Sequence, residues 1–575
     1  KVNVPNPVEP DRAFSFKHIL IRDVVYNNIP RLRRALEHTR MALWLDENTV
    51  DRRETFTEQL AYHYQQALAN WSIGSAVDSI EIEHPGQHNQ TILLTRADLR
   101  NKAIEFLTLT GNQALHSYFG LRALRAYSDA FDLLIDEQAD PLTRSKMLEK
   151  IGDAHAQRGS LDEAWQYYRR ALRLIKDENI DVNTTYLLGL YEQLSLLASR
   201  WFTRFNTPPD LQELRSYIDA GLQLLEGKRL SREHIAFLTY QAFWYIRQLE
   251  IAPRKQKPGL VEQALSSAHE ALTMAEELNN PRTLSLTLDA VSFIYFTYHK
   301  YEKALEIQKR RLQLESLLDD REELYDLYIS IGGDYEDVAD YANALKFYGC
   351  AWSNALTMES PAMVLTSMVG RMRAWRLWNR WDDARQVALE ILQFIERYQP
   401  DEKSQLWALE TLATIAYHRG QQEEGDQYAR QYKRLFDQQI ARSSSEDKLR
   451  VETKMHAIHY AQGDWQRAAT DYKEKLAQSE PFPAPWLLST LAEILLLTGE
   501  AQEQADIYDR AVDLAEQAGA CSSLIVALRA RGRFFTEQQQ WSQAEADLQR
   551  ALQDCKDLDL PWERAHTLYH LGLLY

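Results

Sequence analysis

The chain has 575 residues, of which 45% are hydrophobic, and its 21 glycines and 17 prolines are few for this length, which favours helix over sheet. The net charge of −17 repels phosphate backbones and anionic lipid, so the composition argues against direct binding of nucleic acid or a membrane surface. The three cysteines, Cys350, Cys521 and Cys555, are too far apart for a C-x-x-C motif and fit a reducing, cytoplasmic location.

The first seventy residues do not follow the pattern of the rest of the chain. Residues 14–47, FSFKHILIRDVVYNNIPRLRRALEHTRMALWLDE, predict a short extended stretch and then two helices that Pro30 separates. This segment resembles the junction that follows the ATPase module in bacterial multidomain signal-transduction ATPases of the STAND type. The resemblance is carried by Phe14, Phe16, Lys17, His18, Arg22, Asp23, Tyr26, Arg33, Arg34 and His38.

The resemblance implies that residues 1–70 are the remnant of a winged-helix-like linker behind an upstream nucleotide-binding module, which in that family often follows a cyclase or kinase domain. The chain begins with Lys1 and stops at Tyr575 inside a patterned segment, so we expect a fragment of a longer protein. Residues 71–97 are polar and have no helical period, and we interpret them as a surface loop.

From residue 98 to residue 575, a recurring spacing predicts a helical-repeat array. A small residue is followed by alanine at +12, a bulky or aromatic residue at +16 and alanine at +19. The full pattern reads Gly332, Ala344, Tyr348 and Ala351, and further copies start at Gly111, Gly152, Gly532 and Gly572. The period is 41 residues from Gly111 to Gly152 and 40 from Gly532 to Gly572, which is typical of a solenoid.

Each repeat is interpreted as two amphipathic helices joined by a short polar turn. We expect this turn to bring Gly332 and Ala344 face to face, and Tyr348 to fill the groove against the next pair. The spacing resembles the tetratricopeptide repeat, although that family's usual period is about 34 residues. The longer unit is similar to the sensor arms of signal-transducing ATPases, including the maltose-activator type. The expected fold is therefore all-α, a right-handed superhelical solenoid of about eleven antiparallel helix pairs.

No motif in the sequence indicates catalysis, a metal or a cofactor. GLQLLEGK, residues 221–228, has the wrong spacing for a phosphate-binding loop and is better interpreted as a helix C-terminus. His456 and His459 lie three residues apart, but no carboxylate accompanies them at the spacing of metal ligands. We expect this segment to be non-enzymatic, with no catalytic residue, no metal and no cofactor.

Arginines and aromatic residues recur on the first helices of the repeats, at positions expected to line the inner groove of the superhelix. The candidates for a ligand- or partner-binding groove are Phe293, Phe296, Arg373, Arg376, Tyr417, Tyr460, Arg529 and Arg533. Such side chains commonly anchor ligands, and Arg373 with Arg376 is expected to take an anionic group. None of the corresponding positions holds the asparagine with which co-chaperone repeats grip a C-terminal carboxylate. A solvated inner face without a ligand is the alternative at each position.

The leading hypothesis for function is a non-catalytic sensor or protein-interaction arm. It would bind a protein or small-molecule effector in the groove and regulate the upstream NTPase domain of the same chain by biasing a two-state switch. The alternative is a stand-alone adaptor scaffold without a nucleotide switch. An enzyme built in the groove is a third and weaker hypothesis.

Overall fold

Helices of nearly equal length, many of them 17 residues long and joined by short turns, make up most of the protein in this computed structural model. The prediction of an all-α solenoid of helix pairs is confirmed. The structure describes residues 2–3, 14–15, 18–71, 79–83, 91–136, 139–228, 230–249, 251–398, 401–442 and 455–575. The chain divides into two compact units, residues 1–190 and 191–575.

The first unit contains short strands and the first helices. The strands are β1 Val2–Asn3, β2 Phe14–Ser15, β3 Ser79–Glu83 and β4 Thr91–Thr95, and they form the antiparallel pairs β1–β2 and β3–β4. The helices are α1 Ile19–Asn27, α2 Arg31–Asn48, α3 Arg53–Asn70, α4 Arg96–His116, α5 Gly120–Asp136, α6 Pro141–Gln157, α7 Leu161–Asp177 and α8 Thr184–Arg200, which continues into the second unit.

The segment with the junction motif forms helices α1 and α2 on either side of Pro30, as predicted. Its motif residues converge: the Tyr26 hydroxyl lies 2.9 Å from His38 Nε2, and His38 Nδ1 lies 2.9 Å from Nδ1 of His63 on α3. Phe16 and Lys17 of the motif lie outside the described residues. Helices α2 and α3 share one core with the repeat helices, since Tyr64 of α3 stacks on Phe106 of α4 at 5.7 Å.

The interpretation of residues 71–97 as a loop is wrong for two stretches of that segment. Ser79–Glu83 and Thr91–Thr95 pair as antiparallel strands, with Ile80 opposite Leu94 and Ile82 opposite Ile92. Ile80 and Ile82 are buried in the core that α2, α3 and α4 form. The physical reason is a two-residue alternation of apolar and polar side chains in SIEIE, which suits a strand with one buried face. Residues 72–78 and 84–90 lie outside the described residues.

The second unit continues the succession of helix pairs. Its helices are α9 Leu211–Leu224, α10 Arg232–Gln248, α11 Lys257–Leu278, α12 Pro281–Thr297, α13 Tyr301–Leu312, α14 Arg321–Asp337, α15 Tyr341–Thr357, α16 Pro361–Leu377, α17 Trp381–Arg397, α18 Glu402–His418, α19 Gln422–Arg442, α20 His456–Gln462, α21 Trp465–Ser479, α22 Pro485–Thr498, α23 Asp506–Ala518, α24 Cys521–Glu537, α25 Trp541–Asp557 and α26 Pro561–Leu574.

Many of the turns within and between pairs share one backbone geometry. A residue with positive φ stands two places before the next helix, as Ala339 does at +64° and Asn379 at +58°. At the end of α14, Ala339 N donates to Glu336 O at 3.0 Å and Asp340 N donates to Tyr335 O at 2.8 Å. These bonds satisfy carbonyls that the helix end leaves open, so the chain reverses within three residues.

The repeat spacing has a different packing reason from the one the sequence suggests. A Cβ on Gly332 would lie 2.8 Å from Tyr348 Cε1, so the glycine receives the aromatic ring at +16 and not the alanine at +12. A Cβ on Gly370 of the next pair would lie 2.7 Å from the same atom. Tyr348 is therefore held between glycines of two successive pairs, while Ala344 is fully buried beside it. At Gly532, by contrast, a Cβ would also lie 3.3 Å from the backbone oxygen of Ala544, the alanine at +12.

A seam of turn-to-turn contacts runs along the second unit. His299 Nε2 lies 3.2 Å from Phe482 O, the Tyr341 hydroxyl lies 2.5 Å from Ser522 Oγ, and Trp562 N donates to Asn379 Oδ1 at 3.1 Å. These partners are 183, 181 and 183 residues apart. The turns within three successive pairs, α12–α13 to α16–α17, thus meet the turns that precede α22, α24 and α26.

None of the helices in the described part of the chain is both long and apolar enough to cross a membrane.

Candidate functional site

All eight residues predicted to line a groove lie in the second unit, on first helices of their pairs. The structure sorts them into three groups. Tyr417 and Arg529 are buried, Phe293, Arg373 and Tyr460 are half-buried and engaged by neighbouring side chains, and Phe296, Arg376 and Arg533 remain partly open. Their role in binding stays a prediction, and the contacts below show which of them retain free interaction capacity.

Phe293 and Phe296 form an aromatic surface on α12. Phe293 packs against Phe243 at 5.6 Å and against Phe296 at 6.3 Å, and the Arg247 guanidinium lies 4.6 Å from its ring centre. Phe296 is 37% exposed and contacts Tyr301 at 5.9 Å. Phe293 therefore belongs to the core between α10 and α12, and Phe296 is the member that could meet a ligand.

Arg373 is already paired within the protein. It forms an ion pair with Glu336 of α14, its Nη2 donates to the Tyr348 hydroxyl at 3.2 Å, and its guanidinium lies 5.6 Å from the Trp407 ring centre. Burial opposes its charge, but Glu336 raises the pKa of the guanidinium above its usual value. Arg373 thus ties two helix pairs together, and its removal would disturb packing as well as any ligand.

Tyr417 does not line an open surface, contrary to the position expected for it. Its ring covers Gly425, where a Cβ would lie 2.6 Å from Tyr417 Cδ1, and its hydroxyl donates to Asp426 at 2.8 Å. The side chain is 7% exposed. The residue plays the core role that Tyr348 plays elsewhere, because the glycine that receives it lies on the second helix of the pair.

Tyr460 and Arg529 surround one buried carboxylate, that of Glu493 on α22. Tyr460 donates to Glu493 at 2.7 Å, and Arg529 Nε donates to it at 3.0 Å. Arg529 also pairs with Glu563 of α26. Burial opposes ionisation of Glu493, but the Arg529 charge, His566 and these hydrogen bonds lower its pKa to about 2. The network is closed, because one guanidinium engages both carboxylates and Tyr460 donates to one of them.

Arg376 and Arg533 differ from the other arginines of this region. Arg376 Nε is buried and has no hydrogen-bond partner, and in the part of the chain that the structure describes no carboxylate pairs with either guanidinium. Both side chains are only partly exposed. A half-buried arginine without a partner is costly in an acidic protein, because the protein offers neither full solvation nor a counter-charge.

A run of aromatic side chains that the sequence did not reveal lies close to these two arginines. We call it the His–Trp cluster, and its members are Trp381, His418, Trp562, His566 and His570. Trp381 stacks on His418 at 5.4 Å and contacts Trp562 at 5.0 Å. From Trp562 the run continues to His566 at 6.0 Å and on to His570, 5.3 Å further. The seam creates the cluster by bringing α26 against the turn before α17.

The histidines of the His–Trp cluster are held in their neutral form. Burial lowers the pKa of each of the three. The charge of Arg376 adds to this effect at His418, while Arg533 adds to it at His566 and at His570, whose pKa falls to about 3. Arg376 therefore acts on the His418 end of the cluster, and Arg533 acts on its His566 and His570 end.

A second charged region, also unforeseen, lies among α8, α12, α13 and α14. We call it the buried charge cluster, and it consists of Arg200, Arg204, Asp289, Arg311, Glu323 and Asp326. Arg311 is fully buried and pairs with Asp289 at 2.6 Å and Glu323 at 2.8 Å. Burial opposes ionisation of Glu323, but the two guanidinium groups of Arg200 and Arg311 lower its pKa. Nothing here is left for a ligand.

The histidine pair on α20 makes separate contacts. His459 Nδ1 lies 2.7 Å from Asp471, whereas His456 stacks on Trp486 at 5.7 Å. Within the described ranges, no group of three or more His, Cys, Asp or Glu side chains could hold a metal ion.

Comparison with known proteins was made at the level of sequence and of structure. No family model and no curated protein sequence matches the chain. Solved structures do match in architecture. A Rap protein in complex with competence and sporulation factor has 12% identity and a TM-score of 0.48, over 65% of this chain and 98% of that one.

Two further structures resemble the chain. The Cut9–Hcn1 assembly of the APC/C has 14% identity and a TM-score of 0.40, over 96% of this chain and 97% of the other. A STAND protein with a tetratricopeptide-repeat sensor from Pyrococcus horikoshii has 12% identity and a TM-score of 0.37, over 75% and 67%. At these values the likeness concerns helical-repeat architecture alone. The repeated spacing and the helix pairs make the chain an all-α helical-repeat solenoid.

Proposed function

We propose that the chain is a non-catalytic sensor or interaction arm. Its second unit binds a protein or small-molecule effector, and this binding regulates an NTP-hydrolysing module upstream in the same polypeptide. The observation that carries the proposal is the unmatched pair Arg376 and Arg533 beside the His–Trp cluster, in a chain whose net charge is −17. Most charged side chains in the interior of this unit satisfy one another, so an open cationic and aromatic site supports a binding role.

The regulatory part of the proposal is supported by the junction near the N-terminus. Tyr26, His38 and His63 form a connected polar chain between α1, α2 and α3, and α3 packs into the repeat core. Burial lowers the pKa of His63 to about 4, so this chain is uncharged at neutral pH. A connected junction of this kind can pass a small displacement between a bound arm and an upstream switch, provided that the effector binds the two states unequally.

The test uses the natural full-length polypeptide. We expect a G-x-x-x-x-G-K-[ST] phosphate-binding loop upstream of Lys1. His38→Gln should change the basal rate of NTP hydrolysis by roughly fivefold or more, the usual size of a coupling between sites. Arg31→Gln is the matched control, since Arg31 lies on the same helix, is exposed and is not one of the motif residues.

The adaptor hypothesis makes the opposite prediction. If no phosphate-binding loop precedes the chain, or if His38→Gln and Arg31→Gln leave hydrolysis equally unchanged, the regulatory proposal is refuted. The chain would then be an adaptor that scaffolds other proteins.

A further inference from the structure

We propose that the surface between Arg376 and Arg533, with the His–Trp cluster as its floor, binds a side-chain carboxylate of an acidic peptide segment. The inference rests on the proposed function and names the ligand chemistry of that site. It differs from the expectation drawn from the sequence, because Arg376 acts with Arg533 and not with Arg373. Arg373 has its own carboxylate partner in Glu336.

The first argument is the balance of charge. Three arginines, Arg376, Arg529 and Arg533, act on the cluster histidines, whereas the carboxylates that do so are Glu493 and Glu563. Both of these carboxylates are engaged by Arg529. Two guanidinium groups therefore remain for an external anion, and guanidinium binds a carboxylate through two parallel hydrogen bonds.

The second argument is the presence of buried donors without partners. Arg376 Nε and His570 Nε2 are both buried and lack a hydrogen-bond partner in the described part of the chain. His570 is only 7% exposed. Buried polar atoms are normally satisfied, and leaving one open costs free energy. A ligand oxygen at this surface would accept a hydrogen bond from Arg376 and so remove that cost. Uptake of a proton by a cluster histidine would provide a further hydrogen-bond donor.

The third argument selects a peptide carboxylate over phosphate. The three cluster histidines are neutral at pH 7, and Glu493 and Glu563 stand close by, so the site favours a single negative charge over a double one. The rings of Trp381 and Trp562, 5.0 Å apart and tilted by 53°, add an apolar surface to the cluster. An acidic residue beside an apolar or aromatic neighbour matches both features.

The experiment is an affinity selection from a displayed library of random seven-residue peptides against the whole chain. We expect selected peptides to be enriched in Asp and Glu next to aromatic residues. An enriched peptide is then titrated calorimetrically beside the same peptide with Asn and Gln in place of its acids. The acidic form should bind at least roughly 30-fold more tightly, because charge-assisted bonds to arginine are about twice as strong as neutral ones.

The variants identify the site. Arg376→Gln with Arg533→Gln should weaken the acidic peptide by roughly 30-fold or more. Arg371→Gln, on the same helix as Arg376 but packed over Trp352, should leave its affinity within about twofold. Equal binding of the acidic and neutral peptides, or unchanged affinity in the double variant, overturns the inference. So does inorganic phosphate binding more tightly than the peptide, or a selection that yields no acidic enrichment.

Proton uptake gives an independent readout. Because burial and the arginine charges depress the pKa of His418, His566 and His570, a bound carboxylate should raise these values again. Binding should then take up protons and tighten as the pH falls, as seen by calorimetry in buffers of different ionisation enthalpy. The charged groups of the described residues that act on these rings include Arg376, Arg529, Arg533, Glu493 and Glu563. Binding without proton uptake and without pH dependence would show that the carboxylate does not reach the cluster.

These outcomes separate the inference from the proposed function. If the acidic peptide does not bind but His38→Gln still changes the rate of hydrolysis, the proposed ligand chemistry is wrong and the regulatory function stands. If the acidic peptide binds as expected but no phosphate-binding loop lies upstream, the binding site stands and the chain is an adaptor.

Discussion

Two arginine-rich regions of the second unit differ in how completely their charges are matched. In the buried charge cluster, Arg200, Arg204 and Arg311 meet three carboxylates, and each guanidinium has at least one partner within 3.2 Å. Around the His–Trp cluster, three arginines face two carboxylates, and Arg529 takes both of them. Residue types alone would not distinguish the two regions.

The ratio of arginines to carboxylates therefore distinguishes a structural cluster from a candidate binding site. A balanced set of buried charges has no capacity left and fixes the arrangement of the helices that supply it. An unbalanced set is stable only if something else, solvent or a ligand, takes up the remaining charge. The four predictions below test this distinction, from the largest expected effect to the smallest.

Breaking the balance of the buried charge cluster should have the largest effect. Arg311→Met leaves Asp289 and Glu323 with reduced compensation in the interior, and we expect a loss of about 3–5 kcal/mol in the free energy of unfolding. Denaturant titration followed by circular dichroism measures it. Arg310→Ala next to it, half-exposed and paired only with Glu276, should cost less than about 1 kcal/mol. Equal costs for the two variants would contradict the structural role of the cluster.

Removing the central carboxylate of the second region should expose its contribution to pH dependence. The folded pKa of Glu493, about 2, is below its ordinary value of 4.5, so its contribution to stability is full above about pH 4.5 and is lost as the pH falls toward 2. Glu493→Gln should cost about 2–3 kcal/mol at pH 7, the range for hydrogen bonds to a charged group.

That difference from the unmodified chain should shrink between pH 5 and pH 3, since protonation of Glu493 causes in the unmodified chain the loss that the variant already has at every pH. Unfolding titrations at several pH values measure it. A gap that stays constant down to pH 3 would show that Glu493 is not the charged partner of Arg529.

Overfilling the packing next to Arg373 should displace Tyr348, whose hydroxyl accepts a hydrogen bond from that arginine. In Gly332→Leu the new side chain collides with the Tyr348 ring, which is also pressed against Gly370. We expect a loss of about 1–3 kcal/mol, the usual cost of overpacking. Gly349→Leu is the control on the same helix as Tyr348, because a Cβ at Gly349 meets nothing within 4 Å. A thermal melt that ranks the two substitutions equally would exclude the glycine–tyrosine contact as the reason for the repeat spacing.

Removing the unmatched arginines should have the smallest effect on stability. Arg376→Gln with Arg533→Gln breaks no ion pair in the described part of the chain, so the melting temperature should stay within about 2 °C, corresponding to about 0.5 kcal/mol or less. Calorimetry measures it. A loss comparable to that of Arg311→Met would mean that these arginines are structural, and the distinction drawn above would fail.

The repeat fold was predictable because its signal is local. Gly332, Ala344 and Tyr348 lie within 17 residues of one another, and the turn between them is short enough for spacing to report on packing. The same +16 offset joins Gly221 to Phe237, where a Cβ on the glycine would meet the ring at 2.3 Å. The repeat pattern does not predict this copy, because its +12 and +19 positions hold no alanine. The strand that contains Ile80 and Ile82 was not predicted, because the absence of a helical period in that segment was interpreted as a loop.

The candidate site was predictable only in part. Recurrence along first helices selected Arg376 and Arg533 but could not separate them from Arg373 and Arg529, since the partners of those two arginines lie 34 to 37 residues away in neighbouring pairs. The His–Trp cluster joins Trp381 to Trp562 across the seam, and no local pattern reports a pairing over such a distance. The buried charge cluster was missed for the same reason, with Arg200 reaching Glu323.

The seam has a consequence for how this protein can change over generations. Its three contacts join partners separated by 183, 181 and 183 residues, so the number of helix pairs between them sets the alignment of all three at once. Repeat arrays ordinarily grow and shrink by duplication or loss of whole units, because each unit contacts only its neighbours. Here a gain or loss of one pair between residues 380 and 480, the stretch that all three contacts span, would misplace every contact of the seam and dismantle the His–Trp cluster. That stretch should tolerate substitution far better than a change in length.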